Sequence, residues 1–190
     1  MTFTPDNDPS QPDAVPDRSL PELLPSSEMF LASFAGVRPV TGIDILDPAF
    51  DLVGCQREER VAEEILTDET ASLDELRTAG RSLAAARADI SMLVTIINEA
   101  VRDRLEARHH RDPNTPLAPS IPAYRPTSVV VRTESVGDVA ARMAELWELL
   151  DAREPDELDP PEAVLLSELC DGYDALAAEI EAGRRIPAGV

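Results

Sequence analysis

The stretch from Ser72 to Arg111 constrains the fold most, because its apolar residues return with the period of a helix and do so without a break. Ser72 and Glu75, three apart, form a capping box in which each side chain satisfies a backbone donor at a helix start. Beyond it Leu76, Leu83, Ile90 and Ile97 recur, with Ala79, Ala86, Leu93 and Ala100 three places on, and Val94, Val101 and Leu105 widen the stripe. The spacing predicts one helix from about residue 73 to 108, roughly 54 Å long at 1.5 Å per residue, with one face buried along its whole length. That face needs partners. The chain's own C-terminal helices or a second copy, as a homodimer, would supply them.

What remains reads mostly as helix too. Hydrophobic residues make up 43% of the 190 but aromatics only 4%, an Ala, Leu, Val and Ile composition that suits helix packing. The expected fold class is all-α: one helical bundle with a long central helix. In "SSEMFLASFAG", Ser26 or Ser27 caps a short helix, Gly36 stops it, and Met29, Phe30, Leu31 and Phe34 form its apolar side. That side serves either as a lid on the bundle or as a docking peptide for a protein partner through Met29, Phe30 and Phe34. "REERVAEEIL" is a second short helix. Ser135 with Asp138 opens a helix through about Asp151, buried through Val139, Met143, Leu146, Trp147 and Leu150. Asp159, Pro160 and Glu162 open the last one, with Leu165, Leu166, Leu169, Tyr173, Leu176 and Ile180 inward and Gly183 at its end.

Two segments are not helical. Residues 1–25, rich in Pro, Asp and Ser, cannot bury enough apolar surface to offset ordering and are expected to form a disordered tail. Prolines at 113, 116, 119 and 122 fall on one ridge of a polyproline II helix, which has three residues per turn. From Pro113 to Pro126 such a rod would extend roughly 43 Å, so residues 112–134 are expected to strap back along the long helix, pressing Leu117, Ile121 and Tyr124 onto it; an exposed proline-rich ligand is the competing reading. The domain plan is thus a tail over 1–25 and one helical domain over 26–190. Short helices occupy 26–71, the long helix 72–111, the strap 112–134 and a helix pair 135–183.

Charge narrows function. A net charge of −20 repels the phosphates of nucleic acid and anionic membrane headgroups, so neither is an expected partner. All 17 basic residues are arginine, which rules out a phosphate-loop lysine, a Schiff base and a lysine general base. The N-terminus has no basic start with an apolar run for export and no later run approaches a membrane span, which points to the cytoplasm. Cys55 and Cys170 stand apart, without the pairing of a redox or zinc motif, and read as buried thiols. Residues 134–182 hold 15 acids against Arg142 and Arg153, whereas 72–111 hold six acids and seven arginines, so the two segments are complementary.

The runs "VVVRTESVGDVAARMAELW" and "LLSELCDGYDALAAEIEAGRRIP" resemble an uncharacterised helical domain family of high-GC bacteria and their phages. The likeness extends over residues 88–190 and rests on Thr133, Glu134, Ser135, Gly137, Val139, Arg142, Tyr173, Leu176, Gly183, Arg184 and Arg185. The chain departs at Ala141, where that family usually has an acid. The resemblance implies a helical fold and supplies no activity.

Several sets of residues invite chemistry. Glu145, Glu148, Glu168 and Asp171 have the E-x-x-E and E-x-x-D spacing of all-α nucleoside triphosphate pyrophosphohydrolases, whose carboxylates hold magnesium against a triphosphate. At 100° per residue, however, Glu145 and Glu148 fall opposite the apolar stripe of their helix, and Asp171 opposite that of the last helix, so the four are expected to face water. His109, His110 and Asp112 suggest a metal, but adjacent histidines on a helix diverge and better suit a helix carboxyl end. No histidine is linked by motif to a serine or cysteine nucleophile. Arg142 is the best polar anchor for a small pocket beside Trp147, Tyr173 and Met143, facing Glu134 or Asp174. The expected role is an interaction or accessory protein without catalysis or cofactor; the alternative is a magnesium-dependent pyrophosphohydrolase.

Overall fold

In a computed structural model of the chain, the structure describes residues 23–38, 40–111, 134–153 and 160–183. Those residues form five helices, with no strand among them. The proline strap and residues 1–22 of the expected tail lie outside the described residues, as do Asp112 and Asp159.

Helix α1 (Ser27–Phe34) starts where the Ser26 hydroxyl accepts the Met29 N–H at 3.4 Å and stops before Gly36, whose φ of +80° is the left-handed conformation that favours glycine. Helix α2 (Ile43–Thr67) is far longer than the short helix expected around residues 57–66. Its first half contains Pro48 in the second turn, which removes one helical hydrogen bond. Burial of Ile45, Leu46, Ala49 and Leu52, all at 0% exposure, outweighs that loss, since each large apolar side chain contributes about 1.5–3 kcal/mol.

A tight turn leads into α3 (Leu73–Arg111), 39 residues and roughly 58 Å long. The capping box forms as expected: the Ser72 N–H donates to Glu75 at 2.7 Å and the Glu75 N–H to Ser72 Oγ at 3.3 Å. Helices α2 and α3 run antiparallel as a hairpin, tied on one side by Arg87 to Glu59 and Glu63, each at 2.7 Å, and near the open end by Arg104 to Asp44. The buried face of α3 runs from Ala79 and Ala86 through Leu93 to Ile97 and Val101 but narrows toward the hairpin tip. Ile97 and Val101 are sealed, whereas Leu76 and Leu83, toward the hairpin tip, are only half-buried because no third described helix reaches them.

Helix α4 (Val136–Asp151) packs on both arms of the hairpin; α5 (Pro161–Glu181) packs on α4, and α1 fills the space among α2, α4 and α5. Among the described residues α5 reaches the hairpin only through α4 and α1. The C-terminal pair therefore forms as expected, with one shift on α5: Leu165 is 49% exposed while Leu166 and Cys170 turn inward. Residues 23–25, expected in the tail, are packed in place. Leu24 is buried, and the Leu23 and Pro25 carbonyls accept from Arg104 Nη1 at 2.9 Å and from the Tyr173 hydroxyl at 2.7 Å.

Candidate functional site

Helix α4 is buried on more than one side, because it lies across two helices while a third covers it. The side turned to α2 carries Glu148, only 2% exposed. Its carboxylate accepts from Arg57 Nε at 3.1 Å and Nη2 at 2.9 Å, and from Arg60 Nη2 at 3.1 Å. Arg57 Nη2 also reaches Asp151 at 3.1 Å. Two arginines, one helical turn apart on α2, thus grip one carboxylate on α4, which offsets the cost of burying it. The hydrogen bond to Glu148 and its charge hold both guanidiniums firmly in the protonated state.

The opposite end of α4 is seated on α3. Asn98 Oδ1 accepts the Gly137 N–H at 2.9 Å, and Asn98 Nδ2 donates to Ser135 Oγ at 3.0 Å. Ser135 Oγ in turn donates to Asp138 at 2.6 Å and accepts the Asp138 N–H at 3.1 Å. A Cβ built on Gly137 would lie 2.5 Å from the Val94 carbonyl oxygen, so only glycine lets the backbones approach this closely.

Helix α1 closes the other side of the bundle. Phe30, at 0% exposure, meets Tyr173 edge-on at 5.4 Å and 89°, and Phe34 lies 6.3 Å from Trp147. Asp174 accepts the Ser27 N–H at 2.8 Å and its hydroxyl at 2.6 Å. Burial, followed by the charges of Asp174 and Glu181, pushes the Tyr173 phenol well above its ordinary range. Phe30 and Phe34 are therefore core residues, as the lid reading has it, and Met29 is partly buried beside them.

The residues singled out from sequence are dispersed by this arrangement. Glu148 does not face water, contrary to expectation, but lies between Arg57 and Arg60; the single-stripe reasoning failed because α2 covers a second side of α4. Glu145, Glu168 and Asp171 are exposed, as expected. No group of three or more His, Cys, Asp or Glu among the described residues is placed to hold a metal ion. Arg142 and Glu134 are exposed and not paired with each other, and Arg142 does not reach Asp174, whose carboxylate serves Ser27. Tyr173 and Met143 are buried core residues. His110 is exposed, its Nδ1 3.0 Å from the Glu106 carbonyl oxygen. Cys55 and Cys170 are free thiols, Cys170 buried and Cys55 half-buried.

The feature sequence reasoning missed is the outer face of the α2–α3 hairpin. Helix α4 meets the hairpin through Gln56, Arg57 and Arg60 on α2 and Val94 and Asn98 on α3. On the sides away from those contacts stand Val61 and Ile65 of α2 and Met92 and Ile96 of α3, each between 36% and 53% exposed. Toward the tip, Val61 and Ile65 line a groove of about 630 Å3 with Thr78, Ala79 and Ser82. Part of the signal is in the sequence: Val61 and Ile65, four apart, share a side of α2, and Met92 and Ile96, four apart, lie off the buried stripe of α3.

No family model, curated protein or solved structure matches the chain. No described helix is long and apolar enough to cross a membrane.

Proposed function

We propose that this protein is a non-catalytic interaction or accessory protein that works through the outer face of its α2–α3 hairpin. The observation carrying this reading is the exposure of Val61, Ile65, Met92 and Ile96 on one side of two adjoining helices. Large apolar side chains exposed singly are ordinary; grouped along a groove they mark a contact surface. The net charge of −20 speaks against nucleic acid or an anionic bilayer as that partner and for another protein. The two free thiols suit a reducing compartment, and the cytoplasm is the natural place for the protein to act.

The polar interior supports the absence of catalysis in this reading. Glu148, the only buried member of the four acids with pyrophosphohydrolase spacing, is engaged by Arg57 and Arg60 in joining α4 to α2. Incubation of the protein with a panel of nucleoside triphosphates and magnesium tests the reading. No release of pyrophosphate is expected. Release that is abolished by Glu145→Gln would establish the enzyme instead.

A further inference from the structure

We infer that the outer face of the α2–α3 hairpin seats a basic, amphipathic helix of a protein partner. The inference rests on the interaction reading above and specifies the partner's chemistry. Two antiparallel helices side by side present a shallow trough, and a third helix laid along it buries apolar residues at i, i+3, i+4 and i+7. Met92 and Ile96 stand on this face on the same stripe of α3 as Thr78 and Ser82, and toward the tip Val61 and Ile65 of α2 line the groove opposite those two.

Charge selects the occupant. Asp51, Glu58 and Asp89 are exposed on the same face, gathered around Cys55. Asp51 and Glu58, four before and three after Cys55, share its side of α2, and the Arg87–Glu59 tie sets Asp89 level with Glu58 across the hairpin; burial first, and then the charges of Asp89, Glu58 and Asp51, push the thiol up from its ordinary range. Arg57 borders the groove, but its guanidinium is shared between Glu148 and Asp151. A second copy seated by two-fold symmetry would set these acids against themselves, which disfavours a homodimer through this face. Arginine or lysine flanking an apolar stripe meets the acids while the stripe covers Met92 and Ile96.

The test uses the full chain and fluorescent synthetic peptides read by anisotropy: an amphipathic Leu/Arg helix, a scramble of the same composition with no apolar face, and a charge-reversed Leu/Glu helix. The Leu/Arg helix is expected to bind, the scramble to bind roughly tenfold more weakly, and Met92→Ser combined with Ile96→Ser to weaken the helix by about tenfold or more. Both substituted residues are exposed, and circular dichroism checks that the variant keeps its helices. Equal binding of scramble and helix, or by variant and native chain, would reduce the effect to attraction between opposite charges and overturn the inference. Preference for the Leu/Glu helix, or a dimer in ultracentrifugation that the variant loses, would overturn the partner class and leave the interaction reading standing. Neither peptide binding nor self-association at this face would remove both.

Discussion

Glu148 on α4 and Arg57 on α2, 91 residues apart in sequence, meet through both oxygens of the carboxylate, and Arg60 completes the grip. The partners differ in exposure: Glu148 is 2% exposed, Arg57 52% and Arg60 28%. Losing one arginine leaves the other in place, and the half-exposed Arg57 is screened by water. Arg57→Gln alone is therefore expected to cost about 1 kcal/mol. Arg57→Gln with Arg60→Gln strands a buried charge and is expected to cost about 3 kcal/mol or more, beyond the sum of the single variants. Urea unfolding of the four proteins measures this; additive losses would show that the two arginines act independently.

Glycines separate cleanly by what surrounds them. At Gly137 a Cβ would collide with the Val94 carbonyl, whereas at Gly80 and Gly172 nothing lies within 4 Å. Gly137→Ala is expected to destabilise by about 1–3 kcal/mol even after its gain in helix propensity. Gly80→Ala and Gly172→Ala are each expected to stabilise by about 0.5–1 kcal/mol. Thermal melts that moved all three the same way would contradict the close contact of α4 with α3.

Burial of Tyr173 produces a pH dependence with a definite sign. In the unfolded chain its phenol ionises near pH 10, while in the fold it holds its proton to higher pH. Above about pH 10 the native state binds more protons than the unfolded state, so stability falls as pH rises, by at most about 1.4 kcal/mol per pH unit from this group. Tyr173→Phe should flatten that fall while costing about 1 kcal/mol at neutral pH for the hydrogen bond to the Pro25 carbonyl. Denaturant unfolding between pH 8 and 11 reads both effects, and identical slopes in the two proteins would count against the buried phenol.

Phe30 anchors α1, with no exposure and a ring edge against Tyr173. Phe30→Ala is expected to cost about 3–5 kcal/mol. Protection of α1 amides against hydrogen exchange should drop further than that of α3, since α1 and α3 share no packing contact. Uniform loss across both helices would mean that α1 is not a separable lid.

Local signals carried most of the fold. Ser26, Ser72 with Glu75 and Ser135 with Asp138 each begin a helix as their chemistry dictates, and Gly36 and Gly183 end one. The first half of α2 was illegible because Pro48 and Gly54 each argue locally against a helix, and only burial of Ile45, Leu46 and Leu52 overrules them. Glu148 was misplaced for a related reason: a helical wheel locates one stripe, but how many neighbours a helix acquires is a tertiary property. The exposure of Val61 and Ile65, both inside the short helix expected from sequence, is tertiary in the same sense, since it depends on which sides of the hairpin α4 leaves uncovered.

Melting of Glu148→Gln, with and without magnesium, tests most directly whether the buried carboxylate holds two helices together or belongs to a metal centre. The neutral amide keeps the shape and loses the charged hydrogen bonds, worth about 1.5–3 kcal/mol, so a fall in Tm of roughly 5 °C or more is expected, with magnesium shifting neither protein. A native Tm that rises with magnesium, together with a Glu148→Gln variant that melts at the metal-free native temperature and ignores the ion, would contradict the clamp and restore the metal site.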